Sequence, residues 1–148
     1  MHKMVVLYYS RTGNTEKMAK AVVEGARSVS GVDVQLSIDF EVTPTDLAGA
    51  DAVVVGMPTY HHDMTQSTKK VFEDVAVKGV ALKGKIGAAF GSYGWSGEAV
   101  KLINKALEDA KIKLADQGVK AKYVPDHESL RPCVELGKKI GQAVIETT

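Results

Sequence analysis

A chain of 148 residues, 45% hydrophobic and 25% charged, has the size and composition of one globular domain spanning residues 1–148. Its formal net charge of +1 argues against nucleic acid or an anionic membrane as a partner. The apolar run at the start is too short to span a bilayer, and the single cysteine, Cys133, cannot form an internal disulfide. We therefore expect a cytoplasmic protein without membrane insertion, with Cys133 as a small core residue of the last helix.

The first 30 residues predict a strand, a tight turn and a helix. The apolar run at 4–9 leads directly into the polar stretch Ser10-Arg11-Thr12-Gly13-Asn14-Thr15. Beyond it, apolar residues recur at helical spacing, at Met18, Val22, Ala26 and Val29.

The turn at 10–15 has the chemistry of a phosphate site. Hydrogen bonds can come from three hydroxyls and one amide, namely those of Ser10, Thr12, Thr15 and Asn14. Gly13 lets the backbone come close to a bound phosphate. The start of the helix carries positive partial charge, and Arg11 can at most supplement it. Ordinary helix capping is the alternative that the turn alone leaves open. Because the lysine of the nucleotide-hydrolase loop and the G-x-G-x-x-G spacing are both absent, a monophosphate fits better than a triphosphate or a dinucleotide.

Strand and helix patterns then alternate to the end of the chain. The alternation over Val32–Ile38 predicts an edge strand with one wet face, and the apolar run at 52–56 predicts a strand buried on both faces. The sequence also predicts a helical turn at 44–47 and helices at 65–76, 98–111 and 128–145. Two further strands are predicted at 85–90 and 112–115. The stretch 119–124 either continues the last strand or pairs beside it. The count is five strands and four long helices.

This strict alternation predicts an α/β fold, a doubly wound parallel sheet covered by helices on both faces. In such a sheet, ligands bind beyond the carboxyl ends of the strands, at the point where the strand order reverses. Three predicted loops, at 10–15, 57–63 and 91–97, follow strands at that edge. They are also the three most unusual stretches of the sequence.

The loop at 91–97 predicts a flat surface for a planar ring. Its first five residues are Gly91, Ser92, Tyr93, Gly94 and Trp95. A glycine-rich loop is a poor place to hold two large aromatic side chains for packing alone, so Tyr93 and the only tryptophan, Trp95, favour a binding platform. Packing of Trp95 over the end of the sheet is the alternative.

The loop at 57–63 offers a second aromatic side chain. Its candidate ligand-binding residues are Pro58, Thr59, Tyr60, His61 and His62. Pro58 fixes the turn. We favour a hydrogen bond from a histidine to the ligand, or simple exposure, over a metal site, because neighbouring histidines seldom converge on one ion.

A monophosphate turn and a planar ring held between aromatic side chains describe flavin mononucleotide (FMN), and the chain resembles a short-chain flavodoxin over essentially all of its length. The family's phosphate loop, roughly [ST]-x-[ST]-G-[NT]-T, matches residues 10–15, and its second ring-binding loop matches 91–95. The stretches 91–97 and 122–125 also resemble the flavodoxin domain of flavodiiron proteins. The resemblance implies a five-stranded parallel sheet of order 2-1-3-4-5, with Trp95 on the outer face of the flavin and Tyr60 or its neighbours on the inner face.

Two departures from the family concern the flavin's surroundings. Flavodoxins are usually strongly acidic, whereas this chain is close to neutral. His61 stands where many members have glycine, and a residue with a side chain resists the positive φ that a glycine adopts there. Against the family's pattern, these departures imply that the low-potential couple of the flavin has a less negative reduction potential. They also imply that the one-electron-reduced flavin is less stabilised.

The leading functional prediction is an electron carrier that binds FMN, has no catalytic or metal-binding residue of its own, and moves electrons from a reductase to an acceptor protein. The alternative is an enzyme, an FMN-dependent NAD(P)H:quinone or FMN reductase, which the stretch 57–60 allows. It is disfavoured because the insertions that build a substrate pocket are missing. A third possibility is a separate module that supplies electrons to a diiron partner. A flavin-free regulatory domain would need acidic residues after the first strand, where Tyr8, Tyr9 and Ser10 stand.

Overall fold

The computed structural model of the protein describes residues 1–10, 13–39, 41–58, 65–93, 98–122 and 125–146. In chain order the elements are β1 (His2–Tyr8), α1 (Asn14–Arg27), β2 (Val32–Ile38), α2 (Pro44–Ala48), β3 (Ala52–Gly56), α3 (Gln66–Val77), β4 (Ile86–Tyr93), α4 (Glu98–Asp109), β5 (Lys113–Leu114), β6 (Val119–Lys122) and α5 (His127–Glu146). Among these helices, none has the length and apolar character needed to cross a membrane.

All strand pairs in the described sheet are parallel, and the strand order is β2-β1-β3-β4-β5, with β6 also paired to β4. The predicted α/β fold and the order 2-1-3-4-5 are confirmed. As the alternation over Val32–Ile38 predicted, β2 lies at an edge of the sheet.

The fifth strand of the prediction is divided into two short strands along one neighbour. β5 pairs with Ile86 and Gly87 at the start of β4, and β6 pairs with the last four residues of β4. Residues 119–122 therefore continue the fifth strand along β4, as one of the two sequence interpretations predicted, and residues 123 and 124 lie outside the described residues.

The predicted end of β4 at residue 90 is wrong. Gly91, Ser92 and Tyr93, assigned to a loop from their composition, belong to β4. They pair in register with β6, Gly91 with Lys120 and Ser92 with Ala121, and this pairing holds them in the extended conformation. β4 thus extends three residues further than predicted.

Two apolar clusters, one on each side of the sheet, form the core. α1 and α5 pack on one side, where Met18, Val22 and Ile140 are fully buried. The other cluster contains Ile103 and Leu107 of α4 together with residues of α2 and α3. These clusters confirm that helices cover both faces.

Cys133 is a buried core residue of α5, as predicted. Burial raises the pKa of its thiol to about 12, because removal from water disfavours the charged thiolate. The thiol therefore stays protonated at neutral pH.

Helices α1 and α5 approach so closely that glycine is required on both. A Cβ added to Gly25 of α1 would overlap the carbonyl oxygen of Val134, and one added to Gly137 of α5 would overlap the carbonyl oxygen of Val22. The two backbones are in direct contact, and neither helix can carry a side chain at the crossing.

We expect Gly137→Ala to lower the free energy of unfolding by about 2–3 kcal/mol, because the added methyl group must push the two helices apart. Urea denaturation followed by circular dichroism measures this change. Gly49→Ala is the matched control, since a Cβ there lies 3.7 Å from its nearest neighbour, the carbonyl oxygen of Thr45. Equal midpoints for the two variants would contradict the assigned helix contact.

Candidate functional site

The ends of β1, β3 and β4 lie side by side at the carboxyl edge of the sheet. Tyr8, Gly56 and Phe90 are register partners across the three strands. Two backbone hydrogen bonds continue the pairing beyond this row, from the N–H of Tyr9 to the oxygen of Gly56 (3.0 Å) and from the N–H of Met57 to the oxygen of Phe90 (3.3 Å). Since β2 and β3 flank β1 on opposite sides, the strand order reverses here, which is where such sheets bind ligands.

The turn after β1 has the backbone of an anion site. Gly13 has a φ of 91°, which residues with side chains rarely adopt, and a Cβ at this position would meet nothing within 4 Å. Its N–H donates to the Oγ of Ser10 at 3.0 Å. Gly13 is also the N-cap of the 14-residue α1 and has no side chain to cap it. The first-turn N–H groups of α1 therefore receive no cap from this residue, and they lie at the positive end of the helix dipole.

A buried hydrogen bond joins this turn to β4. The hydroxyls of Thr15 (1% exposed) and Ser92 (5% exposed) lie 2.8 Å apart. Each hydroxyl carries one hydrogen and one bond uses only one of the two, so the accepting hydroxyl keeps its own hydrogen for a further acceptor. Two residues predicted from separate motifs are thus brought into direct contact.

Glu16 places a carboxylate in the first turn of α1, where a bound anion would also lie. The hydroxyl of Tyr8 donates to Oε2 of Glu16 at 2.9 Å, and Lys20 pairs with the same carboxylate at 3.7 Å. Burial, followed by the hydrogen bond and the charge of Glu16, raises the pKa of Tyr8 above its usual value, so its proton stays on this bond at neutral pH.

Asp39, which sequence reasoning did not single out, is a fully buried carboxylate just after β2. Its Oδ2 accepts hydrogen bonds from Ser67 (2.7 Å) and Thr68 (2.9 Å) in the first turn of α3. Its own N–H donates to the oxygen of Tyr8 at 2.7 Å. A carboxylate at the exit of an edge strand was the only signal in the sequence, because its partners lie 28 and 29 residues further on.

The Asp39 network extends to both ends of the segment 59–64. Thr68 is hydrogen-bonded to Thr65 (2.7 Å), the N-cap of α3, and the hydroxyl of Thr65 lies 4.0 Å from the sulfur of Met57. Met57 and Thr65 are therefore fixed to each other and to Asp39 below the sheet edge. Side-chain contacts thus connect the described residues on the two sides of 59–64.

The remaining predicted site residues divide into two groups. Pro58 is buried, whereas Tyr93 is half-exposed at the end of β4 with the Nζ of Lys120 5.9 Å from its ring centroid. The predictions for Arg11, Thr12, Thr59, Tyr60, His61, His62, Gly94 and Trp95 fall outside the described residues. Within the described ranges, no three residues of the types His, Cys, Asp and Glu form a cluster that could hold a metal ion.

Comparison with known proteins decides the family. Residues 6–137 match the Flavodoxin family. The chain belongs to the flavodoxin family. A solved flavodoxin from the domain Archaea superposes with a TM-score of 0.90 at 36% identity, covering 97% of this chain and 99% of that one.

Flavodoxin-family relatives occur both as separate proteins and as parts of larger ones. A flavodoxin of Aquifex aeolicus is 44% identical over 66% of this chain and 54% of its own length. A nitric oxide reductase of Moorella thermoacetica is 36% identical over 97% of this chain but only 37% of its own length. The flavodiiron protein of Giardia intestinalis superposes with a TM-score of 0.88 at 31% identity, over 97% of this chain and 36% of that one. This chain thus spans about a third of the length of the first curated relatives that it matches.

Family membership implies FMN as the cofactor, and the described residues fit it. The open left-handed Gly13 turn and the start of α1 without a side-chain cap at Gly13 suit a phosphate group. Gly91 packs closely against the segment that follows β3, because a Cβ there would lie only 2.7 Å from the carbonyl oxygen of Met57.

We expect Asp39→Ala to lower the free energy of unfolding by about 2–3 kcal/mol, because the hydroxyls of Ser67 and Thr68 lose their shared hydrogen-bond acceptor in a buried place. Urea denaturation of the FMN-free protein measures it without any contribution from ligand. Asp33→Ala, which removes an exposed carboxylate from the same edge strand, is the control and should change stability little. If the two variants unfold at the same urea concentration, the network does not anchor the sheet edge.

Proposed function

We propose that this protein is a cytoplasmic electron carrier, a single domain that binds FMN non-covalently and exchanges electrons with larger redox proteins. The observation that supports this most directly is the contact between Thr15 and Ser92, which joins the predicted phosphate turn to the strand that leads into the predicted ring-binding loop. Both parts of one nucleotide-like ligand can therefore be bound at the same sheet edge.

The phosphate group of FMN would be held at the turn 10–15. The N–H groups at the start of α1 supply backbone donors. The side-chain donors in this proposal are the hydroxyls of Ser10, Thr12 and Thr15 and the amide of Asn14, with Arg11 as a supplement. These groups are uncharged apart from Arg11, so the helix start and the hydrogen bonds do most of the binding.

The ring of FMN would lie between the second and third loops. In this proposal Trp95 covers one face and Tyr60 the other, with Pro58, Thr59, His61 and His62 along one side and Gly91, Ser92, Tyr93 and Gly94 along the other. FMN supplies the redox chemistry when bound, and the protein's residues position it and exclude water. The Asp39 network supports this arrangement because it fixes Met57 and Thr65, the two ends of the loop that carries Tyr60.

A second candidate partner is a separate diiron protein. This chain matches a flavodiiron protein over nearly all of its own length but over only about a third of that protein. In this case the flavin domain and the diiron centre would lie on two different chains, and electrons would pass between them without a covalent linkage.

We expect the protein to bind FMN much more tightly than riboflavin, because only FMN carries the phosphate for the turn at 10–15. In Gly13→Ala this preference should fall by about tenfold, since a side chain resists the backbone conformation that aligns the turn. Quenching of flavin fluorescence measures both affinities.

Gly79→Ala is the matched control for this prediction. Gly79 also has a positive φ (66°) with no atom within 4 Å of an added Cβ, but it follows α3, away from the sheet's carboxyl edge. Both variants should lose similar stability, and only Gly13→Ala should lose selectivity. If the unmodified protein binds riboflavin as tightly as FMN, the phosphate site is wrongly assigned.

We expect NADH and NADPH alone to leave the visible absorption of the FMN-loaded protein unchanged, whereas dithionite or an added reductase bleaches it. A carrier receives its electrons from a reductase protein and needs no nicotinamide site of its own. Anaerobic absorption spectra provide the measurement. Rapid bleaching by either nucleotide, with turnover on a quinone, would replace the carrier proposal with the reductase alternative.

A further inference from the structure

A groove of about 1050 Å³ lies along the edge of the sheet opposite β2. Its walls come from α4, from the segment that includes β5 and the start of β6, and from Lys139 of α5. None of the residues proposed to bind FMN lines it. The groove is therefore a separate surface whose role the cofactor does not explain.

Lysines predominate among the charged residues of this groove. Four of them, Lys101, Lys105, Lys120 and Lys139, face two carboxylates, Glu108 and Asp116. Asp116 is already occupied by Lys139 at 2.8 Å. For a chain whose total charge is +1, this is a local concentration of positive charge.

Three of the four lysines have no carboxylate within ion-pair distance in the part of the chain that the structure describes: Lys101, Lys105 and Lys120. Lys101 and Lys105 are exposed and four residues apart on α4, so they are neighbours on one helix face. Like charges at this spacing destabilise a helix. An acidic partner would relieve that repulsion.

One wall of the groove contains an amide in a fixed orientation, that of Asn104. The side-chain nitrogen of Asn104 donates to the carbonyl oxygen of Gln117 at 2.8 Å, which fixes the orientation of the amide. Its Oδ1 is buried and has no hydrogen-bond partner in the described residues.

The groove lined by Lys101, Lys105, Lys120 and Lys139 is continuous with the end of β4. Lys120 is the register partner of Gly91, and its Nζ lies 5.9 Å from the ring centroid of Tyr93. A molecule bound along α4 and β6 would therefore reach the strand end from which the proposed ring-binding loop continues.

We propose that this groove docks an acidic segment of the electron-transfer partner, with partner carboxylates on Lys101, Lys105 and Lys120. This inference rests on the proposed carrier function. Beyond that function, it specifies that the partner's docking segment is acidic and that the partner approaches from the side of α4 and β6.

The test uses the FMN-loaded protein, reduced with dithionite and mixed in a stopped-flow instrument with either an acidic blue-copper protein or a basic c-type cytochrome. One electron passes from the reduced flavin to each copper(II) or haem iron(III), so complete reoxidation reduces two acceptor molecules. We expect the rate constant with the acidic acceptor to fall about tenfold as salt is raised. The rate constant with the basic acceptor should not fall.

The variant Lys101→Glu/Lys105→Glu should slow the acidic acceptor about tenfold at low salt and leave the basic one as fast or faster. Lys78→Glu/Lys83→Glu is the matched control, because it changes the charge equally at two exposed positions that precede β4, away from the groove. It should leave both rates near those of the unmodified protein.

The remaining outcomes distinguish failure of the docking surface from failure of the carrier function. Equal slowing of the acidic acceptor by both double variants, or by neither, would overturn the docking surface while the carrier function stands. Competition by a single-stranded DNA oligonucleotide that exceeds competition by a polyglutamate peptide would also overturn it, since the groove would then prefer nucleic acid. Failure to bind FMN, or to reduce either acceptor, would refute the proposed function itself.

Discussion

The parallel pairing of β1 with β3 and of β3 with β4 determines where every described candidate residue lies. It places Tyr8, Gly56 and Phe90 in one row, so the three stretches that follow these strands begin next to one another. The contact between Thr15 and Ser92 depends on this arrangement, because 77 residues separate the two hydroxyls in the chain. A site assembled in this way needs no long-range sequence motif, only strands that pair in this parallel register.

Buried polar contacts fix the loop ends at this edge. Asp39 and Thr68 are wholly removed from water, as Thr15 almost is, and each is hydrogen-bonded to a neighbouring element. Such contacts are expensive to break inside a protein, so they hold the first residues of each loop in one geometry. A ligand that binds there meets anchored loop ends and loses less affinity to ordering the chain.

Local pattern predicted the layers of the fold but not its exact strand ends. The wet face of β2 and the buried β3 follow from alternation and from a continuous apolar run, which depend on nearest neighbours in sequence. Gly91, Ser92 and Tyr93 have loop-like composition, and only pairing with β6 makes them a strand. Asp39 was not predicted because its role also depends on residues distant in sequence, namely the hydroxyls of a later helix that bind it. The phosphate-site prediction for residues 10 and 13–15 rests on local chemistry, so the sequence alone was enough to make it.

The glycine contact between α1 and α5 links the two ends of the chain. α1 begins at the proposed phosphate turn, and its orientation depends on Gly137 lying against Val22. During synthesis on the ribosome, α1 therefore lacks its packing partner until α5 has emerged. The proposed phosphate turn would then reach its final support only after α5 is made, and not when α1 itself emerges.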